Sequence, residues 1–568
     1  MTALGALRSA LSAGVVLLGV SACAGVPSSS EVQSMPAQQE ARLVGGPEIR
    51  VDFSGPDEDA TPIEVVRGFL AANATTTEGL DRARSYLRPT VGGLWRPESV
   101  VIVSEAGTEI AQQVNGGADR LLWQAPAVAE LDSAGRYQPR GGLVSHEFRL
   151  QATDQGWRID NPMNVLVLTE EDFSRVYRDV SVYYMARGRP VLVPDRRFVA
   201  AGRDELPGRV MAALVAGPAA WLAPSVLYED KVTLDGASVV DGVAEIRLGR
   251  EAALLSESRR AVLAAQIVTS LSGLGISGVR IVAGDQVLKV DAPDVSTASD
   301  WSRFQARTGP AELYLLTDGL LTDSAGTPPP GTEEIALAEA AVSAVNGEIA
   351  GVVRGGDEDS LVVVRGGEAS EVLRAAGLST PDWGAEGELY VIRDNASLLR
   401  LRLDRGEVPA SPAWEEVVVE GVPLPLRAAA VAPDGVRMAV LAGPPGSSRI
   451  YLGRIDGLPG FTAVQDTYGP ASSLVSVDSV AWAGETELLL AARTLTSTQA
   501  VPVTVGVDGS DLEIDSRIGL REAVTAVAAH PRGPLAVLSG GRAYLQRDDV
   551  WVAVGAGGES GSQPIYPG

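Results

Sequence analysis

Cysteine and histidine are almost absent from this 568-residue sequence. It contains one cysteine, Cys23, and two histidines, His146 and His530. A single cysteine excludes an intramolecular disulfide and any cysteine-based zinc or iron–sulfur site. Two histidines exclude a metal site with three histidine ligands. A catalytic Ser-His-Asp or Cys-His arrangement would have to use His146 or His530, or do without histidine.

Positive charge and aromatic side chains are also scarce. Lysine and arginine together number 47 against 72 aspartates and glutamates, which gives a net charge of −25, and aromatic residues make up only 5%. Such an acidic surface repels phosphate backbones, so we expect no nucleic-acid partner. Apolar residues reach 45%, which is enough to build buried cores. A chain of this length is expected to contain about three to five domains.

Residues 1–22 have the features of a secretory signal peptide. Arg8 precedes a short apolar run from Leu11 to Val20, and small residues follow at Ser21 and Ala22. The run is too short to span a bilayer, which requires about 20 residues. The pattern therefore indicates export rather than a membrane span.

The tetrapeptide Val20-Ser21-Ala22-Cys23 resembles the lipobox of bacterial lipoproteins. In that family the chain is cleaved before the cysteine, here between Ala22 and Cys23. The thiol carries a diacylglyceryl group, which is added before cleavage, and the new amino group then receives an acyl chain such as palmitate. Two acyl chains anchor a protein stably where one binds only marginally. The alternative is an ordinary signal peptide with a chance cysteine, but the only cysteine falls where lipidation would use it. We therefore expect a protein lipid-anchored to the extracytoplasmic face of the cell membrane.

Two α+β domains are predicted after the lipidated cysteine and a flexible linker, residues 23–59, which is rich in Ser, Pro and Gln. The first covers residues 60–175. It opens with the capping-box pattern Thr61-Pro62-Ile63-Glu64 and continues as helices followed by a curved antiparallel sheet. His146 shares a strand face with Phe148, which favours a histidine at the edge of the core over a catalytic one.

The second α+β domain covers residues 179–292. A helix is predicted from Glu205 to Ala216, and Asp241-Gly242 between apolar runs predicts a tight hairpin. Several segments resemble a GerMN domain, a module of germination and cell-envelope proteins. These segments are Tyr183-Tyr184, Ala212–Pro218, Asp241–Ile246 and Val279-Arg280-Ile281.

Residues 310–568 contain short apolar strands that recur between Gly, Pro and Asp turns. Five aligned runs end at Val342, Trp383, Val431, Trp482 and Val527, with spacings of 41, 48, 51 and 45 residues. Repeats of this length with about four strands each are typical of β-propeller blades. A strand at Leu313–Leu316 together with the C-terminal tail is a candidate sixth blade that would close the ring. An array of β-sandwiches is the alternative.

The order of these parts resembles the LpqB lipoproteins of actinobacteria. It runs from lipobox through linker, α+β domain, GerMN-like domain and propeller to Pro564-Ile565-Tyr566-Pro567-Gly568. The predicted fold class is thus multidomain: α+β (NTF2-like), α+β (GerMN-like) and an all-β propeller of five or six blades. The resemblance implies the NTF2-like fold of residues 60–175. It also implies association with the extracytoplasmic region of an MtrB-type sensor histidine kinase.

The remaining motifs do not predict chemistry. Gly273–Gly278 matches G-x-G-x-x-G, but it follows a helix and precedes a strand, the reverse of the order in a dinucleotide site. Adjacent acids, at Glu333-Glu334, Asp357-Glu358-Asp359 and Glu415-Glu416, are more typical of a solvated surface than of a glycosidase cleft. We therefore predict no catalytic residue, no cofactor and no metal site. The leading hypothesis is a non-catalytic kinase accessory, the alternative is a peptidoglycan- or glycan-binding protein, and a hydrolase is third.

We expect Cys23→Ser to prevent lipid attachment, so that the polypeptide no longer fractionates with membranes at its normal size. Fractionation followed by mass spectrometry of the N-terminus measures this. Ala24→Ser is the matched control, because it changes the next residue and leaves the thiol. Unchanged membrane association of the Cys23→Ser chain at its normal size would contradict the lipid tether.

Overall fold

The structure is a computed structural model of the chain. It describes residues 55–568 apart from 75–79, 113–116, 118, 203–204, 404–412, 418–421, 456–461, 464–473, 516–517 and 555–561. The signal peptide and Cys23 lie outside the described residues, so lipidation stays a prediction. None of the helices within the described ranges is long and apolar enough to cross a membrane. The described residues belong to one compact unit.

The first part of the body begins with the predicted capping box. The Thr61 hydroxyl accepts the Glu64 N–H at 3.4 Å, and the Glu64 carboxylate accepts the Thr61 N–H at 2.8 Å. Pro62 takes the first helical position, where no N–H is needed. Val66 and Phe69 are fully buried. The helices of this part are α1 (Pro62–Ala72), α2 (Asp81–Ser85), α3 (Pro89–Gly92) and α4 (Glu170–Val176).

These helices accompany a seven-stranded sheet. Its strands are β1 (Val100–Val103), β2 (Glu109–Gln112), β3 (Arg120–Leu131), β4 (Tyr137–Pro139), β5 (Leu143–Thr153), β6 (Gly156–Ile159) and β7 (Leu166–Thr169). The main order is β6-β5-β3-β1-β7, with β2 and β4 also paired to β3. The prediction of an α+β unit is confirmed. The prediction of a purely antiparallel sheet is wrong, because β7 pairs parallel to β1. The chain leaves β6 at one edge and crosses to the other, where Met163 O accepts the indole N–H of Trp95 at 2.6 Å.

The described residues of the second part form two sheets and two α-helices, with short 3-10 helices at Ala223–Ser225, Arg250–Leu254, Ser272–Leu274 and Ala298–Phe304. Its elements are β8 (Tyr177–Ala186), β9 (Leu192–Ala200), α5 (Leu206–Val215), β10 (Val226–Leu227), β11 (Leu234–Val240), β12 (Val243–Leu248), α6 (Glu257–Leu271), β13 (Gly278–Ala283), β14 (Gln286–Val287) and β15 (Val295–Ser296). The predicted helix is confirmed as α5, with Glu205 and Ala216 as its caps. The predicted hairpin turn is confirmed at Asp241 and Gly242, with φ of 50° and 79°. Gly275, with φ of 71°, ends the helical segment before β13, so the glycine motif terminates a helix.

The third part is a six-bladed propeller. Blade 1 comprises β16 (Tyr314–Thr317), β17 (Leu320–Asp323) and β38 (Gln563–Ile565). Blade 2 comprises β18 (Glu339–Val342), β19 (Ile349–Val353), β20 (Asp359–Arg365) and β21 (Glu368–Ala375), and blade 3 β22 (Leu378–Trp383), β23 (Glu388–Arg393), β24 (Ser397–Arg402) and β25 (Trp414–Val417). Blade 4 comprises β26 (Leu426–Val431), β27 (Arg437–Ala442), β28 (Arg449–Arg454) and β29 (Thr462–Ala463). Blade 5 comprises β30 (Leu474–Trp482), β31 (Glu487–Thr494), β32 (Val501–Gly506) and β33 (Glu513–Ile514), and blade 6 β34 (Val524–Ala528), β35 (Ala536–Ser539), β36 (Arg542–Arg547) and β37 (Val550–Ala553).

The ring of blades closes as the sequence predicts. The first strands of blades 2 to 6 contact one another in succession, and β38 lies between β34 and β18 to complete the circle. The five aligned runs are these innermost strands, and the C-terminal tail joins β16 in blade 1. The sixth blade is thereby confirmed. The sequence pattern also predicts Leu361–Val364 as the second apolar run of its repeat. This prediction is wrong, because Ile349–Val353 forms the second strand and Leu361–Val364 belongs to the third.

Tryptophans join neighbouring blades. The indole N–H of Trp383 donates to Ala341 O at 3.2 Å, and that of Trp482 donates to Ala430 O at 3.0 Å. Both side chains are buried. Trp383 and Trp482 are therefore packing residues between blades.

The three parts of the body meet at Arg196 of β9. Its guanidinium forms ion pairs with Asp508, at 3.8 Å, and with Asp511, both in the turn after β32 of blade 5. The same group lies 5.3 Å from the ring centre of Phe198. That ring packs 5.5 Å from Tyr137 of the first part. One side chain therefore contacts the propeller and supports the aromatic contact with the first part.

Two glycines allow this close approach. A Cβ at Gly506 would lie 2.0 Å from a guanidinium nitrogen of Arg196. A Cβ at Gly135, where φ is 75°, would lie 2.4 Å from Phe198 O, and the Phe198 N–H donates to Gly135 O at 2.8 Å. Larger side chains at either glycine would push the parts of the body apart.

We expect Ile565→Ala to destabilise ring closure. Ile565 lies in the C-terminal strand, is 7% exposed and packs in a cluster with residues of blades 1 and 2. Truncating such a side chain costs about 2–5 kcal/mol of unfolding free energy. Denaturant unfolding of the two variants measures the effect. Val552→Ala, at a residue 44% exposed, is the control, with an expected change within about 0.5 kcal/mol. Equal losses in both variants would contradict a closing role for the tail.

Candidate functional site

The innermost strands enclose a cavity of about 240 Å³ on the axis of the propeller. Small residues line much of its wall, and they leave the space that larger side chains would fill. Among them are Ala340, Ala341, Ala428, Ala429, Ala430, Ser479 and Ala481. A cavity of this size can bind a small group or a side chain of a partner.

Asp382 places a carboxyl group in this wall. It lies on β22, and its Oδ2 accepts the Val431 N–H of the neighbouring inner strand at 2.7 Å. Ser479 makes the equivalent bridge further round the ring, where its hydroxyl accepts the Val527 N–H at 3.2 Å. Burial raises the pKa of Asp382 to about 7, although two backbone N–H groups partly oppose the shift. The group can therefore exchange a proton near neutral pH.

His530 also lines the cavity, from blade 6 on the side opposite Asp382. It is 2% exposed, and its Nδ1 accepts the Arg532 N–H at 3.2 Å. Burial, and secondarily the charge of Arg532, lower the pKa of His530. Its ring lies 6.0 Å from that of Tyr566 in the C-terminal tail. These contacts give His530 a packing role where the tail closes the ring.

His146 lies on β5 of the first part and is not among the residues that line the cavity. Its Nε2 lies 2.8 Å from Asn161 O, and its ring meets Phe148 edge-on at 4.7 Å. The expectation of a histidine at the edge of the core is confirmed.

In the acidic runs, Glu333, Glu334, Asp357 and Glu358 are exposed, as the sequence predicts, whereas the remaining acids form structural contacts. Glu415 forms an ion pair with Arg400 at 2.6 Å, and Glu416 accepts the Ser397 hydroxyl at 2.9 Å. Asp359 differs from the surface group that the sequence predicts. It is 9% exposed and accepts the Leu378 N–H at 3.1 Å, which joins blade 2 to blade 3. Over the residues that the structure describes, no three His, Cys, Asp or Glu side chains form a group that could hold a metal ion.

The sequence did not single out Asp382, although a signal was present. In the aligned inner strands, the other four runs carry alanine immediately before their last residue, whereas this run carries Asp382, an acid within an apolar repeat. An acid in such a repeat is either solvated outside the fold or held inside it by backbone donors. The hydrogen bond from the Val431 N–H, 49 residues later in the neighbouring inner strand, shows that Asp382 is held inside the fold.

Two family models match this chain. Residues 55–174 match the N-terminal domain of lipoprotein LpqB, and residues 317–567 match the LpqB beta-propeller domain. The chain belongs to the LpqB lipoprotein family. The second range coincides with the six-bladed ring described above.

Relatives in this family are similar over almost the whole chain. Lipoprotein LpqB of Streptomyces coelicolor is 28% identical and covers 98% of this chain and 96% of its own. Lipoprotein LpqB of Mycobacterium tuberculosis is 26% identical and covers 98% of each. Among solved structures, TolB from Acinetobacter baumannii matches with a TM-score of 0.34 and 13% identity over 45% of this chain and 66% of its own.

We expect Asp382→Asn to remove one component of the pH dependence of stability. The Asp382 pKa is about 7 in the folded chain but about 4 in the unfolded chain, so the folded state keeps the proton up to a higher pH. As pH rises from about 4 to about 7, the unfolded state ionises first, and the free energy of unfolding falls. The variant keeps an acceptor for the Val431 N–H and should lose this fall.

Denaturant unfolding at several pH values measures the difference between wild type and variant. The control is Asp241→Asn, at an exposed turn residue whose positive φ suits asparagine. If Asp382→Asn and Asp241→Asn change the pH profile equally, Asp382 does not hold a raised pKa.

Proposed function

We propose that this lipoprotein is a non-catalytic accessory of an MtrB-type sensor histidine kinase. Lipidated at Cys23, it would act at the extracytoplasmic face of the cell membrane in envelope and division signalling. Membership of the LpqB family and the predicted lipobox support the proposal. The kinase partner comes from the resemblance of the sequence to that family.

The junction at Arg196 is the observation that carries this proposal. It joins the three parts of the body by ion pairs and aromatic packing, with the Arg196 side chain only 9% exposed. A partner that touches more than one part therefore meets a surface whose geometry is set in advance, which reduces the ordering cost of binding. Tethering both proteins to one membrane also raises their effective concentration, so a weak interface suffices.

Two further contacts fix the second part on the propeller. Arg454 of blade 4 donates to Trp221 O at 2.7 Å, and the Tyr183 hydroxyl donates to Glu485 of blade 5 at 2.5 Å. Val436 of blade 4 is fully buried in the core cluster of the second part. Apolar and polar contacts together support a body that docks as one piece.

Binding to peptidoglycan or another glycan is the alternative, and it has less support. Sugar binding commonly uses free aromatic faces, whereas Trp383 and Trp482 are buried and donate to backbone carbonyls of the adjacent blades. A hydrolase is third, since the acids at Glu415, Glu416 and Asp359 are engaged in structural contacts.

We expect the chain from Ala24 to Gly568 to retain the extracytoplasmic region of the kinase in a pull-down and not to sediment with purified cell wall. Arg196→Gln should weaken kinase binding at least about threefold, because the docking surface loses part of its fixed geometry. Arg250→Gln, at a side chain 87% exposed, is the matched control and should bind like wild type. Melting curves of both variants monitor folding. Wild-type binding to cell wall alone would contradict the kinase proposal.

A further inference from the structure

A cleft of about 630 Å³ separates the second part of the body from the propeller. One side is formed by the turn between β8 and β9 and by residues 303–307, which lead into the propeller. The other side is formed by turns of blades 2, 3 and 4. A smaller recess adjoins the cleft and shares Arg189 and Glu386 with it.

Arginines are concentrated in these two spaces. They line both sides and comprise Arg187, Arg189, Arg303, Arg307, Arg365, Arg400 and Arg402. The lining carboxylates are Glu348, Glu386, Glu388 and Asp434. The whole chain has 47 cations against 72 acids, so this lining reverses the charge balance of the protein.

Most of the lining acids are already paired. Glu348 binds Arg365, Glu388 binds Arg189, and Asp434 binds Arg437 outside the cleft. Among the described residues, Glu386 is the one lining carboxylate outside an ion pair. Arg400 is also paired, with Glu415 at 2.6 Å, whereas Arg187, Arg303, Arg307 and Arg402 form no ion pair within the described residues.

Arg303 and Arg307 are exposed in the cleft, and neither forms an ion pair within the described residues. The Arg303 guanidinium lies 4.7 Å from the ring centre of Phe304 and 5.5 Å from that of Trp301. Stacking on these rings orients the guanidinium while leaving its N–H edge available. Arg307 lines both the cleft and the propeller cavity, so it lies where the two meet.

The floor of the cleft is fixed by Arg189. Its side chain is 12% exposed and forms an ion pair with Glu388 at 2.6 Å. Gly435 faces it with φ of 65°, and a Cβ there would lie 2.7 Å from a guanidinium nitrogen. The glycine thus makes room for a cation that is held in place before any ligand arrives.

We propose that this cleft binds an anion that carries two or more phosphate groups. Guanidinium groups recognise phosphate oxygens through paired N–H donors, and several of them along one cleft favour several phosphates over one. The acidic remainder of the surface repels such anions and confines binding to the cleft. This proposal is independent of the kinase partner.

Isothermal titration of the chain from Ala24 to Gly568 with sodium tripolyphosphate tests the proposal. All described contacts lie within this chain. The buffer should contain about 0.15 M salt, where charges more than about 8 Å apart are screened. We expect tripolyphosphate to bind at least about tenfold more tightly than orthophosphate. A second arm measures co-sedimentation with phosphatidylcholine vesicles with and without cardiolipin, whose headgroup carries two phosphates.

The decisive variant combines Arg303→Gln and Arg307→Gln. Loss of two charge-assisted contacts should weaken binding at least about tenfold. The matched control combines Arg250→Gln and Arg280→Gln, which removes the same charge from exposed sites that do not line the cleft. Both variants should melt like wild type, because none of the four arginines joins parts of the body.

Binding that depends on Arg303 and Arg307 in either arm supports the proposal, and the arm identifies a soluble phosphate compound or a lipid headgroup as the source. Absence of such binding in both arms overturns it. Equal weakening by the control variant also overturns it, since overall charge would then explain the effect. Failure here leaves kinase binding untouched, because the pull-down measures that separately.

Discussion

The ion pairs of Arg196 are the contact on which the arrangement of the body depends. Burial alone would disfavour the charged guanidinium, but the carboxylates of Asp508 and Asp511 outweigh it and keep the pKa of Arg196 raised. At Asp508 the balance is the reverse, since burial outweighs the guanidinium at 3.8 Å and raises the pKa of the carboxyl. The charge of the buried Asp508 nevertheless contributes most of the attraction on Arg196, followed by that of Asp511, which also accepts a hydrogen bond from the guanidinium. Removing the arginine would leave a buried acid without its partner, which is costlier than never having the pair.

The same junction explains how an acidic chain uses its few cations. Arg136 of the first part donates to Gly217 O of the second at 2.8 Å, and Arg454 of the propeller donates to Trp221 O. Guanidinium groups suit these places because their planar donors reach carbonyls and carboxylates that the adjoining part presents. Arginines that connect parts of the body therefore donate hydrogen bonds to acceptors in the adjoining part. Arg303 and Arg307 differ from them, since their donors face open space beside the same boundary.

Much of the fold could be predicted from the sequence, because helix caps, turns and apolar strands depend mainly on interactions between residues close together in the chain. The capping box at Thr61, the turn at Asp241-Gly242 and the inner strands of the blades depend on neighbours a few residues away. The long strand β3 shows the limit of this reasoning. Half of its buried positions are alanines and it contains Pro126, so its hydrophobic pattern is weak. The structure tolerates Pro126 because a bulge in the pairing with β1 falls beside it.

The candidate sites were less predictable, because each depends on residues that are distant in sequence. The environment of Asp382 requires β26, and the cleft requires the turn after β8 to face blade 3, 199 residues later at the Arg189–Glu388 pair. No periodic pattern in the sequence indicates that these distant segments come into contact. The fixed junction turns these separate segments into one surface, since parts that moved independently would open and close the cleft. A body held in this way can present a cationic cleft and a docking face together, despite the acidity of the chain as a whole.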